Sequence, residues 1–424
     1  MTQRFKIWII VSVVLVALAA AAAIAYPFAK RAFFAPRESN VETGRTLNTI
    51  NGTTPPTVAP VAPDATVAPE DPTLDGPAVE TVATNLDIPW ELAFLPDSSG
   101  GWSGDMLVTQ RPGQLVRIGQ DRSVIPVEGV RHVGEGGLLG LALHPDFESN
   151  GLLYLYMTTA EAGGLTNRVE RYRLEDTTLS ERSTLTERTV ILDEIPGAAN
   201  HDGGRLAFGP DKKLYVTTGD SQAQQLAQDT SSLAGKVLRL NDDGSVPADN
   251  PFGNAVWSYG HRNVQGITWD DAGRLWVTEH GPSGSCPECG QDEVNLVERG
   301  ANYGWPTITG DATATGLRAP VLHSGVDDTW APSGMAFYSD VSGARSLFFA
   351  GLRGSALYEA RLDDGSAVSS ATQLVEHFKS DFGRLRNVVR GPDGYLYILT
   401  SNTDGRGAPD ESDDKIIRVN PRLF

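Results

Sequence analysis

A chain of 424 residues with 45 Gly, 26 Pro and a formal net charge of -18 suits a soluble acidic domain. It excludes a nucleic-acid surface, because no basic stripe is present to meet phosphates. Two Cys are too few for a disulfide framework.

In chain order, the first feature is the apolar run at residues 7–25, in which Ser12 is the one polar residue, with Arg4 and Lys6 before it and Lys30 and Arg31 after it. It is about long enough to cross a bilayer as one helix, which takes ~20 residues. Two expectations compete for residues 1–34. The length favours an uncleaved signal anchor, whereas Ala23 and Ala25 offer the small-x-small pattern of a cleaved signal peptide. Either way the remainder is exported, secreted or held at the membrane through this helix only. Residues 35–78 then shift to Pro, Thr, Ala and Val without alternation, as in TPPTVAPVAPDATVAPEDPT, and are expected to form a solvated, disordered linker.

Residues 79–424 repeat one unit, seen most plainly in NHDGGRLAFGPDKKLYVTTGD at residues 200–220. A polar loop precedes a short apolar strand, Gly209, Pro210 and Asp211 supply a turn, and a Leu/Tyr/Val-rich strand follows. This is a β-hairpin, so His201 and Asp220, at its open end, should be neighbours. The pattern stands six times, at residues 92–109, 141–158, 206–218, 267–279, 335–351 and 388–400. Six multi-strand units without helical periodicity predict an all-β six-bladed propeller.

Directly before each inner strand lies a Gly-rich or polar loop: IPW at Ile88, GEGG at Gly134, NHDGG at Asn200, GHRNVQG at Gly260, TWAPSG at Thr329 and GRLR at Gly383. In a propeller these loops meet at one mouth of the central channel, as a small-molecule site requires. The mouth would gather His201, Arg262, Arg353, Arg384 and Arg386 with Glu135, Asn200, Asn263 and Glu279. Clustered guanidinium groups ask for a polyanionic ligand, since Arg grips carboxylates bidentately. Histidine is the side chain suited to proton abstraction near neutral pH, and of the seven His, His201, which precedes an inner strand among Asn200, Asp202 and two glycines, has the best claim. In the irregular loop EHGPSGSCPECGQDEVN, carbonyls beside Asp292 and Glu293 could hold a hard cation such as calcium. Cys286 and Cys289 within it are expected to form a local disulfide, because a zinc site would need two more ligands and none is spaced nearby.

The motifs GEGGLLGLALHPDF, NHDGGRLAFGPD, LAGKVLRLNDDG, SYGHRNVQG, TEHGP with DEVN, ANYGWP, APSGMAFY and GRLRNVV occur in order from residue 134 onward. Through them, residues 86–419 resemble the soluble glucose/sorbosone dehydrogenase family of quinoprotein aldose sugar dehydrogenases. The resemblance implies a six-bladed propeller that binds pyrroloquinoline quinone with calcium and oxidises the C1 hydroxyl of aldoses to lactones. It implies His201 as catalytic base and Arg262 beside Asn263 next to the quinone. It implies Gly281 and Pro282 as carbonyl ligands of the calcium, Arg384 and Arg386 facing the cofactor's carboxylates, and Arg353 where a Lys is often found. Electrons would pass to an external acceptor. Two departures stand out: Glu135 replaces a frequent Gln, and Asn200 replaces the Asp that precedes the catalytic His in the glucose enzymes. Glu135 would need protonation or a cation to sit near a carboxylate-rich cofactor. Two other classes stay open, a cofactor-less extracellular binding module and a calcium-dependent lactone hydrolase.

Overall fold

The computed structural model describes residues 74–424 apart from 75, 98, 100, 162, 178–181, 284–288 and 363–370. The expected anchor or signal helix and nearly all of the linker lie outside the described residues. Among those described, no helix is long and apolar enough to cross a membrane.

Each predicted hairpin forms the inner pair of a blade. Leu206–Phe208 pairs antiparallel with Leu214–Thr217, Leu206 opposite Val216, and the turn between them closes through Gly209 N–H donating to the Lys213 carbonyl at 2.9 Å. The same pairing sets Leu92 opposite Val108, Leu141 opposite Leu155, Ile267 opposite Val277, Met335 opposite Phe349 and Val388 opposite Ile398. Two further antiparallel strands complete each blade, giving six four-stranded sheets. The uneven repeat length has its largest source in the second blade, whose outer strands Gly164–Thr177 and Arg182–Pro196 run to 14 and 15 residues.

The inner strands Pro89–Pro96, Leu138–Leu143, Leu206–Phe208, Val264–Trp269, Pro332–Ser339 and Leu385–Arg390 contact one another in sequence order and back to the first, so the ring is closed. Apolar side chains fill the space between blades. Leu95, Leu107 and Leu115 of the first blade pack with Leu138, Leu153 and Leu155 of the second, each burial contributing roughly 1.5–3 kcal/mol. The closure itself is non-local: Val79–Ala83 is the outermost strand of the sixth blade, paired with Ile416–Val419. A rigid ring of this kind fixes the loops at its mouth to the geometry of the inner strands.

Candidate active site

His201 sits where the polar loop turns into the third blade's inner strand. Its backbone φ is 65°, in the left-handed region that a non-glycine residue occupies at a cost of order 1 kcal/mol. Partners hold it there: its N–H donates to Glu135 Oε2 at 3.1 Å, and its carbonyl accepts from Ser221 N–H at 3.2 Å. Two residues on, Gly203 has φ 65° and lies so close to the Thr218 backbone that a Cβ would stand 2.5 Å from the Thr218 Cα. The loop is therefore pressed against the hairpin's second strand.

That contact brings His201 Nδ1 to 2.8 Å from Asp220 Oδ1, the neighbour that hairpin geometry predicts. Asp220 also accepts Trp305 Nε1–H and the Gln222 N–H, both at 2.8 Å. Burial pushes the Asp220 carboxyl up, but the His201 and Trp305 hydrogen bonds outweigh it and hold it below its ordinary value. A carboxylate only accepts, so the proton of neutral His201 is on Nδ1 and the Nε2 lone pair is free. The His201 side chain is 18% exposed, against 2% for Asp220.

Glu135 has the cation that its position demands. Its Oε1 accepts from Arg406 at 2.6 Å, and the same guanidinium reaches Asn200 Oδ1 at 3.1 Å. Burial pushes the Glu135 carboxyl up, yet Arg406 and the nearby His280 bring it down to about 2, so it is ionised rather than protonated.

The arginines form the opposite wall. Arg384 is closed by Asp404, at 2.9 Å and 3.1 Å, and by the Leu352 carbonyl at 3.1 Å. Arg386 donates one nitrogen to Gln265 Oε1 at 3.1 Å, while its Nε is buried without a partner. Arg262 donates to the His280 carbonyl at 3.2 Å, lies over the Trp305 ring at 5.3 Å, and likewise leaves a buried Nε unpartnered. Burial lowers both, Arg386 to about 9. Asn263 is fully buried and accepts the Gly203 N–H at 3.0 Å, which ties the fourth blade to the His201 loop. Arg353 lines a small cleft with Cys289, Asp328, Thr329 and Lys379.

Gly281 and Pro282 leave the fourth blade's second strand. Gly281 N–H donates to Asp292 Oδ1 at 2.9 Å, and the Pro282 carbonyl accepts Gly290 N–H at 3.0 Å. The other Asp292 oxygen takes the N–H groups of Trp330 and Ala331, at 2.7 Å and 2.8 Å. Its carboxylate thus works as a backbone staple. Glu293 is likewise engaged, by Gly310 N–H at 3.1 Å and Asn295 at 3.0 Å. Among the described residues, no group of three or more His, Cys, Asp or Glu is arranged to hold a metal. Cys289 is disulfide-bonded, and Cys286 lies outside the described residues.

The family model for Glucose / Sorbosone dehydrogenase matches residues 86–417. The chain belongs to the glucose/sorbosone dehydrogenase family. It is 34% identical over 375 residues to the aldose sugar dehydrogenase YliI of Escherichia coli, covering 81% of this chain and 93% of that one. The solved structure of the PQQ-bound aldose sugar dehydrogenase from Streptomyces coelicolor matches with a TM-score of 0.70 at 39% identity, over 81% of this chain and 98% of that one. Quinoprotein glucose dehydrogenase B of Acinetobacter calcoaceticus is 34% identical over 267 residues, 54% of this chain and 52% of its own.

Against this glucose/sorbosone dehydrogenase background, three residues at or near the mouth, Arg406, Asp404 and Arg111, are not among those that the sequence pattern singles out. Arg406 and Asp404 lie just past the sixth hairpin, and extending the loop inventory beyond Thr400 would have found them. Arg111 donates to the carbonyls of Gly134 and Gly136 and so clamps the loop that carries Glu135. His280, which follows the end of the fourth hairpin's second strand, has a buried Nε2 without a partner; burial, with Arg262 and Arg386 nearby, brings it down to about 3 and keeps it neutral. Other histidines are packed or paired elsewhere: His261 between Glu279 and Ser258, His377 on Glu359, His144 beside Asp242, and His323 accepting the Gly325 N–H.

Proposed function

We propose that this protein is a pyrroloquinoline quinone-dependent dehydrogenase that oxidises the C1 hydroxyl of aldose sugars to lactones. The observation that carries the reading is the pairing of a free histidine nitrogen with orphaned guanidinium donors at one mouth. In the neutral ring the Nδ1 contact to Asp220 leaves the His201 Nε2 lone pair to accept a proton, and the Nε groups of Arg262 and Arg386 are buried with no acceptor.

Unpartnered buried donors cost free energy unless a ligand accepts from them, roughly 1–3 kcal/mol each. Their chemistry fits a tricarboxylic quinone. Arg386 and Arg384 would hold its carboxylates, Arg353 the outer edge, and Arg262 with Asn263 the side nearest His201. The carbonyls of Gly281 and Pro282 would supply oxygen ligands for a calcium ion, a role suited to a hard cation. When bound, the quinone supplies a two-electron acceptor for hydride. The chain's own part is to bind and to move a proton: His201 Nε2 takes the hydroxyl proton of the sugar, Asp220 stabilises the imidazolium that results, and Trp305 fixes Asp220. The Arg262 guanidinium, held over Trp305, would stabilise the negative charge that develops on the bound quinone. Turnover then needs an external electron acceptor. An exported location, secreted or tethered by the helix expected at residues 7–25, completes the reading.

The test is a titration of the metal-stripped protein with pyrroloquinoline quinone, with and without calcium, while dye reduction by a panel of aldoses is followed. Calcium-dependent binding with sugar-dependent dye reduction is expected. Absence of quinone binding would overturn the reading and favour a binding module, while lactone hydrolysis that needs calcium alone would favour a hydrolase.

A further inference from the structure

The loop after the sixth blade's second strand reaches across the mouth and carries two guanidinium–carboxylate pairs linked through one residue. Asp404 Oδ2 holds Arg384, deep in the wall, with side chains 3% and 10% exposed. Asp404 Oδ1 accepts the Arg406 N–H at 2.8 Å, which turns the Arg406 side chain the other way, towards the rim. There it meets Glu135 of the second blade and Asn200 of the third, with side-chain exposures of 39% for Arg406 and 22% for Glu135. Glu135 and Asn200 flank His201, and Glu135 also accepts the His201 N–H.

We infer that Arg406 is a positioning residue for His201, acting through Glu135 and Asn200: it fixes the strained peptide of the base and cancels the Glu135 charge beside it. The inference rests on the proposed role of His201 as base. The charged and titratable groups around the His201 loop are Asp220 and Asp202 from the third blade, Glu135 from the second, His280 and Arg262 from the fourth, and Arg406 from the sixth. Arg406 pairs with Glu135, which leaves Asp220 as the carboxylate in direct contact with the ring. Without that guanidinium, Glu135 becomes a second uncompensated anion near the imidazole, and anions favour the protonated ring. A protonated ring is no base. Asn200 adds no charge at this spot, and Glu135 with Arg406 adds none on balance.

The experiment compares Arg406→Gln, Arg406→Lys, Glu135→Gln and the double variant Glu135→Gln/Arg406→Gln in the full chain. Two readouts are taken: the pH profile of kcat/KM for aldose oxidation, and the uptake of a proton by the His201 ring, followed by NMR in quinone-free protein. Arg406→Gln is expected to move the acid limb of the profile and the ring titration to higher pH by roughly half a unit or more. It should also cut kcat/KM about tenfold through the loosened loop, with the loss falling in kcat more than in KM. Arg406→Lys keeps the charge and should restore the titration while leaving part of the kcat loss, since a point charge cannot span Glu135 and Asn200 as the planar fork does. In the double variant the pH shift should vanish, because both charges are gone. An unmoved titration in Arg406→Gln, or a shift that persists in the double variant, would overturn the inference. Absence of sugar oxidation in the parent as well would sink the proposed function, and the NMR titration would still decide the role of Arg406.

Discussion

Two arginines stand beside the same indole and do opposite work. The guanidinium carbon of Arg205 lies 3.9 Å from the Trp90 ring centroid, and that of Arg386 lies 5.9 Å from it. Arg205 belongs to the channel floor. It is ion-paired with Glu91, which is in turn hydrogen-bonded by Asn387, and it donates to the Gln265 carbonyl at 2.9 Å, although its Nη2 is buried without a partner as well. Arg386 belongs to the mouth, with a buried Nε that nothing accepts from and a carboxylate, Asp404, that is spent on Arg384. Both are nearly fully buried. What separates a structural from a ligand-binding guanidinium here is whether the fold supplies its own anion.

The largest effect expected is on the base. His201→Ala removes the group that takes the hydroxyl proton, and turnover should fall by roughly 10²–10⁴-fold or more. Quinone binding, which rests on the arginine wall, should survive nearly intact in an absorbance titration. Oxidation at the parental rate would take His201 out of the mechanism. On the floor, Glu91→Ala strands a buried guanidinium, and breaking such a pair costs ~3–5 kcal/mol. Urea unfolding of the ligand-free protein should show that loss. In Arg386→Ala the order reverses: stability of the ligand-free protein should hold or rise, because an incompletely satisfied buried cation is removed. Quinone affinity should drop by roughly ten- to a hundredfold, as befits a charge-assisted hydrogen bond of about 1.5–3 kcal/mol. If Arg386→Ala instead destabilised the free protein as much as Glu91→Ala does, the distinction between floor and mouth would collapse.

The mouth could be read from sequence only where its geometry is local. His201 and Asp220 are 19 residues apart and meet because a hairpin must bring its two ends together. The six hairpins themselves were legible for the same reason, since short Asp-bearing turns leave a pattern along the chain. Contacts that cross blades leave none. Arg406 and Glu135 are separated by 271 residues, and Arg205 and Glu91 by 114, so the guanidinium cluster was visible while its internal counter-charges were not. The four arginines that sequence placed at the mouth therefore looked more cationic together than they are. Asp404 closes Arg384, and among the proposed cofactor-facing residues Arg262 and Arg386 carry the buried nitrogens still open to an anion. The strand that completes the sixth blade, drawn from the other end of the domain, was illegible on the same grounds.

A smaller effect separates two other carboxylates beside His201, Glu135 and Asp202, and tests whether charge compensation is what distinguishes them. Asp202 accepts from Asn167 at 3.0 Å and from Ala198 N–H at 3.2 Å, but its second oxygen is buried without a partner. Burial pushes its carboxyl up to about 6, whereas Glu135, paired with Arg406, is held at about 2. The two pull stability in opposite directions. Glu135 has a depressed folded value, so its contribution is present above the ordinary carboxylate range and is lost as pH falls towards 2. Asp202 has a raised one, so the folded state binds its proton more tightly than the unfolded chain does. Its contribution is present below about pH 4 and is lost as pH rises through 6. Asp202→Asn keeps an acceptor for Asn167 and Ala198 and cannot ionise. It should flatten that part of the stability profile and stabilise the protein above pH 6 by on the order of 1 kcal/mol after local relaxation. Unfolding curves at pH 4 and pH 7 suffice: a parent that loses no stability between them relative to Asp202→Asn would mean that the unpartnered oxygen has found a donor, and that Asp202 is compensated after all.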